Sequence, residues 1–169
     1  VVVPVGIDQD PHLRLARDIA KRYKAESLLP PTSTYHLFMP GLGGGKMSAS
    51  DPNSYIALTD TPKQAAKKIN KYALSGGRET VEEHRKLGGD TDKDIAFQWL
   101  RYYEEDDAKL ADIKQKYESG ELLSGELKAI LIEKINTFLA DHQARRAKAK
   151  DLIDEYIYDP SKDPLYKGN

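Results

Sequence analysis

The chain has 169 residues, 39% of them hydrophobic and 31% charged, a balance that excludes a disordered or membrane-embedded class and belongs to a globular protein. Its net charge of -1, from 26 Lys plus Arg against 27 Asp plus Glu, excludes a global basic field, so any RNA contact must be a local patch. Cysteine is absent, which excludes disulfides and thiol or Cys-zinc chemistry; no apolar run nears the roughly 20 residues of a membrane helix and the start has no signal-peptide pattern, so a cytoplasmic location is expected.

Val1 to Gly6 is β-branched and ended by glycine, which predicts a buried strand. Asp10 as an N-cap and Pro11 as a first helical residue then open a helix to about Tyr23, with Ala16, Ile19, Ala20 and Tyr23 forming one apolar stripe. Strand, turn and helix make half of a βαβ unit. A parallel strand needs neighbours and covering helices, so further strands are expected upstream. From Leu28 to Leu58 the chain is rich in Pro, Gly, Thr and Ser, with short strands predicted at Tyr35 to Phe38 and Tyr55 to Leu58 around a long loop.

Thr61-Pro62-Lys63-Gln64 matches a capping box with proline at the first helical position, and Ser75-Gly76-Gly77 stops that helix. Thr80 to Glu83 repeats the start signal and Gly88-Gly89 the stop. Ile95, Ala96, Trp99, Leu100 and Tyr103 form the next stripe, and Leu110, Ile113 and Tyr117 another, closed by Gly120. Ser124 starts the longest segment, predicted as one helix of about nine turns through Leu127, Leu131, Ile135, Phe138, Leu139, His142, Leu152, Ile153 and Tyr156, with Asp159-Pro160 as its stop. The reading is an α/β segment over 1–70 followed by an all-α segment over 71–169.

Gly41-Leu42-Gly43-Gly44-Gly45-Lys46-Met47-Ser48-Ala49-Ser50 joins glycines to a lysine and two hydroxyls, a composition suited to polyphosphate. A P-loop would need glycine at Pro40 and a hydroxyl residue at Met47, and a plain linker remains the bland alternative. Gly6-Ile7-Asp8-Gln9 falls at the carboxyl end of the first strand, where open α/β sheets bind ligands; Asp8 and Gln9 suit a ribose or an amino-acid head group, or Asp8 and Asp10 cap the helix. Asp90, Asp92 and Asp94 imitate an EF-hand but place Ile95 and Arg101 where glycine and glutamate are required, which argues against calcium. His12, His36, His84 and His142 show no metal spacing. Arg145, Arg146, Lys148 and Lys150 are the candidate RNA patch, or else a solvated helix face.

Lys46 to Ser54, KMSASDPNS, resembles the KMSKS signature of class I aminoacyl-tRNA synthetases in the form carried by tryptophanyl enzymes of archaea and eukaryotes. PVGIDQDPHLRLARDIA, SGGRETVEEHRKLGGD, LKAILIEKI and HQARRA resemble the same family in the same order, covering residues 1–158. The resemblance implies that 1–70 is the carboxy-terminal part of a Rossmann-like catalytic domain and 71–169 a helical anticodon-binding domain. It implies activation of tryptophan by ATP, with Mg2+ carried on the ATP phosphates, and transfer to tRNA(Trp) by a full-length homodimer. By carry-over, Lys46 holds the pyrophosphate with Ser48 and Ser50, and the family's second lysine is Ala49 here. Gly6 and Asp8 line the ribose, Met39 and Met47 border ATP, and Gln9 meets the tryptophan amino group.

Arg78, Glu79 and Lys128 match positions that read the anticodon, with Glu79 in place of the animal enzyme's aspartate and Leu74 in place of its aromatic residue. No His-x-Gly-His signature occurs, so this chain is expected to be inactive alone. The alternative is a non-catalytic RNA-binding module derived from a synthetase. A tyrosyl-type enzyme is disfavoured by GIDQD and by DPNS after KMSAS.

Overall fold

The computed structural model describes residues 2–23 and 28–158. The chain divides into two compact units, Val1–Met39 and Pro40–Asn169.

The first unit is a βαβ arrangement. β1 (Val2–Gly6) leads through a 3-10 turn at Ile7–Gln9 into α1 (Asp10–Tyr23), and the chain returns in β2 (Thr32–His36), parallel to β1 with Val2 opposite Thr32 and Gly6 opposite His36. The strand expected at Tyr35 to Phe38 therefore starts earlier and ends at His36: the hydroxyl-bearing run Thr32-Ser33-Thr34 follows two prolines and takes the ladder positions, leaving Leu37 and Phe38 outside. Asp10 is the first residue of α1 rather than its cap. Its carboxylate is engaged elsewhere, accepting from the Tyr35 hydroxyl at 2.6 Å and from Arg14 Nε at 2.6 Å. The Tyr35 hydrogen bond is the main cause that holds the Asp10 carboxyl below its ordinary range. Of the stripe expected on α1 only Ala20 is buried; Ile19 and Tyr23 are exposed, because a two-stranded sheet has little surface to cover them.

The second unit is helical: α2 (Pro62–Tyr72), α3 (Val81–Leu87), α4 (Ile95–Tyr103), α5 (Asp107–Glu118), α6 (Ser124–Lys150) and α7 (Ile153–Tyr156). The capping box is formed as its sequence dictates. The Thr61 hydroxyl accepts from Gln64 N–H at 3.3 Å, and Gln64 Oε1 accepts in return from Thr61 N–H at 2.8 Å. α3 starts on Thr80, whose hydroxyl accepts from Glu83 N–H at 3.1 Å, and ends on Gly88 with φ of 70°.

The core lies along α6, whose Leu127, Leu131, Ile135 and Leu139 recur every fourth residue and are all buried. α2 packs on this face with Ala65 and Ile69, α4 with Phe97, Trp99 and Leu100, and α5 with Ile113 and Tyr117.

Two expectations fail in this unit. Tyr55 to Leu58 is not a strand: Tyr55 O accepts from Lys68, Asp60 closes a turn onto Ala57, and among the described residues no neighbouring strand offers a ladder. The long helix does not continue to Tyr156 either. The Asp151 and Leu152 N–H groups bond to carbonyls three residues back, which tightens and ends α6, and Leu152 and Ile153 have no core to enter and stay exposed. Asp159-Pro160 lies outside the described residues. No described helix is long and apolar enough to cross a membrane.

Candidate functional site

Gly6, Asp8 and Gln9 fall together where β1 runs into the turn before α1, the carboxyl end of a parallel strand. Met39, half-buried, ends the same unit.

Lys46, Met47, Ser48 and Ser50 belong to the helical unit, on a loop that is tightly folded rather than slack. Leu42 is the reason: an apolar side chain inside the glycine run is fully buried, and its backbone accepts from Leu74 N–H and donates to Ser54 O, both at 2.9 Å. Gly41 N–H reaches Gly45 O at 2.6 Å and Gly44 N–H reaches Gly41 O at 2.8 Å, closing the turn below Lys46. The far side is organised by Ser54. Its hydroxyl accepts from Ser48 N–H at 3.0 Å and lies 2.7 Å from Asp51 O, while the Ser48 and Ser50 hydroxyls are 2.7 Å apart.

Around this loop a pocket of about 300 Å³ is lined by Gly41, Gly43, Gly45, Lys46, Asp51, Asn53, Ser54 and Tyr72. A Cβ on Gly43 or Gly45 would meet nothing within 4 Å, so the space beside the backbone there is open. The pocket combines one ammonium, the Ser54 and Tyr72 hydroxyls, the Asn53 amide and glycine backbone with one carboxylate, Asp51; Met47, Ser48 and Ser50 adjoin it on the same loop but are not in its lining. Asp51, Asn53, Ser54 and Tyr72 were not among the residues picked out from the sequence; DPNS directly after the hydroxyl run was the available signal for the first three.

A second cleft, of about 410 Å³, opens between the start of α3 and the start of α6 and is lined by Arg78, Glu79, Thr80, His84, Ser124 and Glu126 among others. Arg78 and Glu79 stand together at this cleft; Arg78 Nε donates to Gly88 O at 2.9 Å. Lys128 is not part of the lining. Its ammonium closes the end of α2, donating to Ala73 O at 2.8 Å and Asn70 O at 3.4 Å. Arg145, Arg146, Lys148 and Lys150 are exposed on the last turns of α6, with Arg145 paired to Asp141.

Behind the cleft, sequence reading missed Asp94. It is fully buried, its Oδ1 accepts from Phe97 N–H at 3.1 Å as the N-cap of α4, and its Oδ2 accepts from Gly76 N–H at 2.8 Å and the Tyr117 hydroxyl at 2.7 Å. The cap was detectable, since an aspartate before the apolar run from Ile95 is a helix start. Burial pushes the Tyr117 hydroxyl up to about 12. Gly76 must be glycine here, because a Cβ would collide with the Asp90 backbone carbonyl, whereas a Cβ on Gly77 would force the Ser124 hydroxyl to turn away.

A parallel βαβ unit, a folded lysine-bearing loop of KMSAS sequence and a helical unit are the features that point to the class. The chain belongs to the class I tRNA synthetases, the family described as "tRNA synthetases class I (W and Y)", whose profile matches residues 1–140. It is 49% identical to "Tryptophan--tRNA ligase" of Saccharolobus solfataricus over 164 residues, 94% of this chain and 42% of that protein. It is likewise 49% identical to "Tryptophan--tRNA ligase, cytoplasmic" of Homo sapiens, covering 95% of this chain and 34% of that protein. Among solved structures, the tryptophanyl-tRNA synthetase of Aeropyrum pernix K1 superposes with a TM-score of 0.84 at 48% identity, over 90% of this chain and 42% of that one. The chain thus spans about two fifths or less of the length of these relatives.

Proposed function

We propose that the protein containing this chain is a tryptophan-tRNA ligase, which activates tryptophan with ATP and transfers it to tRNA(Trp). The observation that carries this is the folded KMSAS loop, which sets Lys46 at the rim of a pocket of hydroxyls and open glycine backbone. The tryptophan carboxylate attacks the α-phosphorus of ATP and pyrophosphate leaves. Charge grows on the departing oxygens, and a preorganised cation with hydroxyl donors stabilises that charge more than it stabilises bound ATP. Lys46 neutralises it, Ser48 and Ser50 donate to it, and Met47 and Met39 border the nucleotide. Mg2+ enters on the ATP phosphates as part of the substrate; among the described residues no group of three His, Asp or Glu could hold an ion.

Gly6, Asp8 and Gln9 serve the ribose and the tryptophan amino group from the end of β1. The exposure of Val2, Ile7 and Ile19 supports placing β1 and β2 within a wider, Rossmann-like parallel sheet, because such sheets are buried on both faces. Residues 1–70 then carry the nucleotide chemistry and 71–169 the anticodon contacts, a functional division that differs from the packing boundary at Met39. Arg78 and Glu79 at the α3–α6 cleft meet tRNA, and Lys128 acts one turn further along α6. The full-length protein works as a cytoplasmic homodimer.

The test is pyrophosphate exchange and aminoacylation by the full-length protein. Exchange dependent on tryptophan, with tyrosine inert and tRNA(Trp) charged, is expected. The isolated 169-residue chain is expected to show none; exchange by the chain alone, or with tyrosine as the preferred amino acid, contradicts the proposal.

A further inference from the structure

We infer that Asp94 is a positioning residue for tRNA recognition: its buried carboxylate fixes the Gly76-Gly77 backbone so that Arg78 and Glu79 stand at the mouth of the α3–α6 cleft. This rests on reading that cleft as the tRNA-facing site.

An ordinary N-cap needs one oxygen, and Ser, Thr or Asn supplies it. Asp94 uses Oδ1 for that task and turns Oδ2 onto three further donors: Gly76 N–H, the Tyr117 hydroxyl and, at 3.4 Å, the Ser75 hydroxyl. Its described partners are all neutral, so a fully buried carboxylate is held by directed donors rather than by a cation. Such a group is costly to bury and is retained only where its hydrogen bonds are complete. Tyr117 extends the arrangement, because its hydroxyl is also 3.0 Å from the Ser124 hydroxyl at the start of α6, the opposite wall of the cleft. One carboxylate therefore sets α4, the Ser75–Gly77 turn, α5 and, through Tyr117, the first turn of α6 against one another.

The turn is hydrogen-bonded at both glycines. Gly76 donates to Asp94 and its carbonyl accepts from Asp90 N–H at 2.8 Å, while Gly77 N–H is held by the Ser75 hydroxyl at 3.1 Å. Arg78 follows directly, and its bond to Gly88 O uses one of five guanidinium donors. An asparagine at 94 keeps the volume but sets an NH2 group against a donor. If its oxygen caps α4, Gly76 N–H loses its acceptor; if its oxygen serves Gly76, the cap is lost.

The experiment measures two reactions of the full-length enzyme: aminoacylation against tRNA(Trp) concentration, and pyrophosphate exchange, which needs no tRNA. Asp94→Asn is expected to raise the KM for tRNA about tenfold, and Tyr117→Phe, which removes a single donor, about threefold, the scale of one or two buried hydrogen bonds. Exchange by both is expected to change less than about twofold, since the phosphate loop's own hydrogen bonds are untouched. Arg78→Ala reads the underlying site and should raise the tRNA KM at least as much as Asp94→Asn. If Arg78→Ala does so while Asp94→Asn and Tyr117→Phe leave the KM alone, the positioning role is refuted and the cleft stands. If exchange falls with aminoacylation in Asp94→Asn and in the milder Tyr117→Phe, Asp94 is a general stabiliser and the inference is refuted. An unchanged KM in Arg78→Ala removes the site and the inference with it.

Discussion

Replacing Lys46 with alanine in the full-length enzyme isolates the charge term of the proposed chemistry. The described backbone and hydroxyl hydrogen bonds of the loop run through Gly41, Leu42, Gly44, Ser48 and Ser54, and its one buried side chain is Leu42. The magnitude follows from two independent arguments. Unit charges 4 Å apart interact by about 4 kcal/mol at an effective dielectric of 20, and removing one preorganised donor from a developing anion costs about 2.7 to 4 kcal/mol. Ser48 and Ser50 remain and soften the loss, so the expected figure is about 3 kcal/mol, or ~150-fold in the rate of tryptophan-dependent exchange. The position of the family's second lysine is Ala49, so no neighbouring cation of the motif shares the work, and the fall is expected mainly in kcat rather than in the KM for ATP. Ala49→Lys in the Lys46→Ala background should restore part of the rate. A fall of less than about threefold in Lys46→Ala would refute the assignment, since a group stabilising the departing charge cannot be worth so little.

Ser54→Ala removes the hydroxyl that joins Ser48 to Asp51 and should raise the KM for ATP about tenfold, on the scale of one to two hydrogen bonds, with the tRNA KM unchanged; a parental ATP KM would show that the loop holds without it. Leu131→Ala, at a fully buried position midway along the α6 stripe, should destabilise the chain by about 3 kcal/mol and lower its melting temperature by roughly 6 to 12 °C in a circular-dichroism scan. Glu104 sits between α4 and α6 with Lys134 at 2.9 Å and Lys109 at 3.3 Å, and the Lys134 bond above all holds its carboxyl down to about 2 from an ordinary 4.5. A lowered folded-state value means that the pair's stabilisation is complete above about pH 4.5 and is lost as pH falls toward about 2, so urea midpoints should drop across that window and Glu104→Gln should flatten the drop.

Signals carried by adjacent residues were legible in the sequence. Thr61-Pro62-Lys63-Gln64 contains both halves of its capping box within four positions, and the α6 stripe from Leu127 to Leu139 repeats with the helical period. The phosphate loop was legible as a composition, and its KMSAS resemblance led to the family that the profile bears out. What was not legible depends on partners distant in sequence. Asp94 draws its donors from Gly76 and Tyr117, 18 and 23 residues away, and in the linear reading it was one of three acidic residues imitating a calcium loop. Leu42 looked like part of a pliable glycine run, whereas burial against the helices makes it the point that holds the run in place. The strand expected at Tyr55 to Leu58 had suitable residues but no neighbour to pair with, which local pattern cannot reveal. The end of α6 was misplaced for the converse reason: Leu152, Ile153 and Tyr156 keep the spacing of a buried stripe, yet all three are exposed among the described residues.

Leu74 joins two regions, at Leu42 and at Ile95, that the chain separates by about fifty residues. Its N–H bonds to Leu42 O beneath the KMSAS turn and its carbonyl accepts from Ile95 N–H at the head of α4, one residue from Asp94. The footing of the KMSAS loop and the footing of the Ser75–Gly77 turn are thus successive rungs of one backbone ladder. Only a displacement of α4 that breaks one of these rungs, which the loss of one side-chain acceptor at position 94 does not require, would shift the platform under Lys46 as well, so the cation is referenced to the helices and not only to the glycines that surround it.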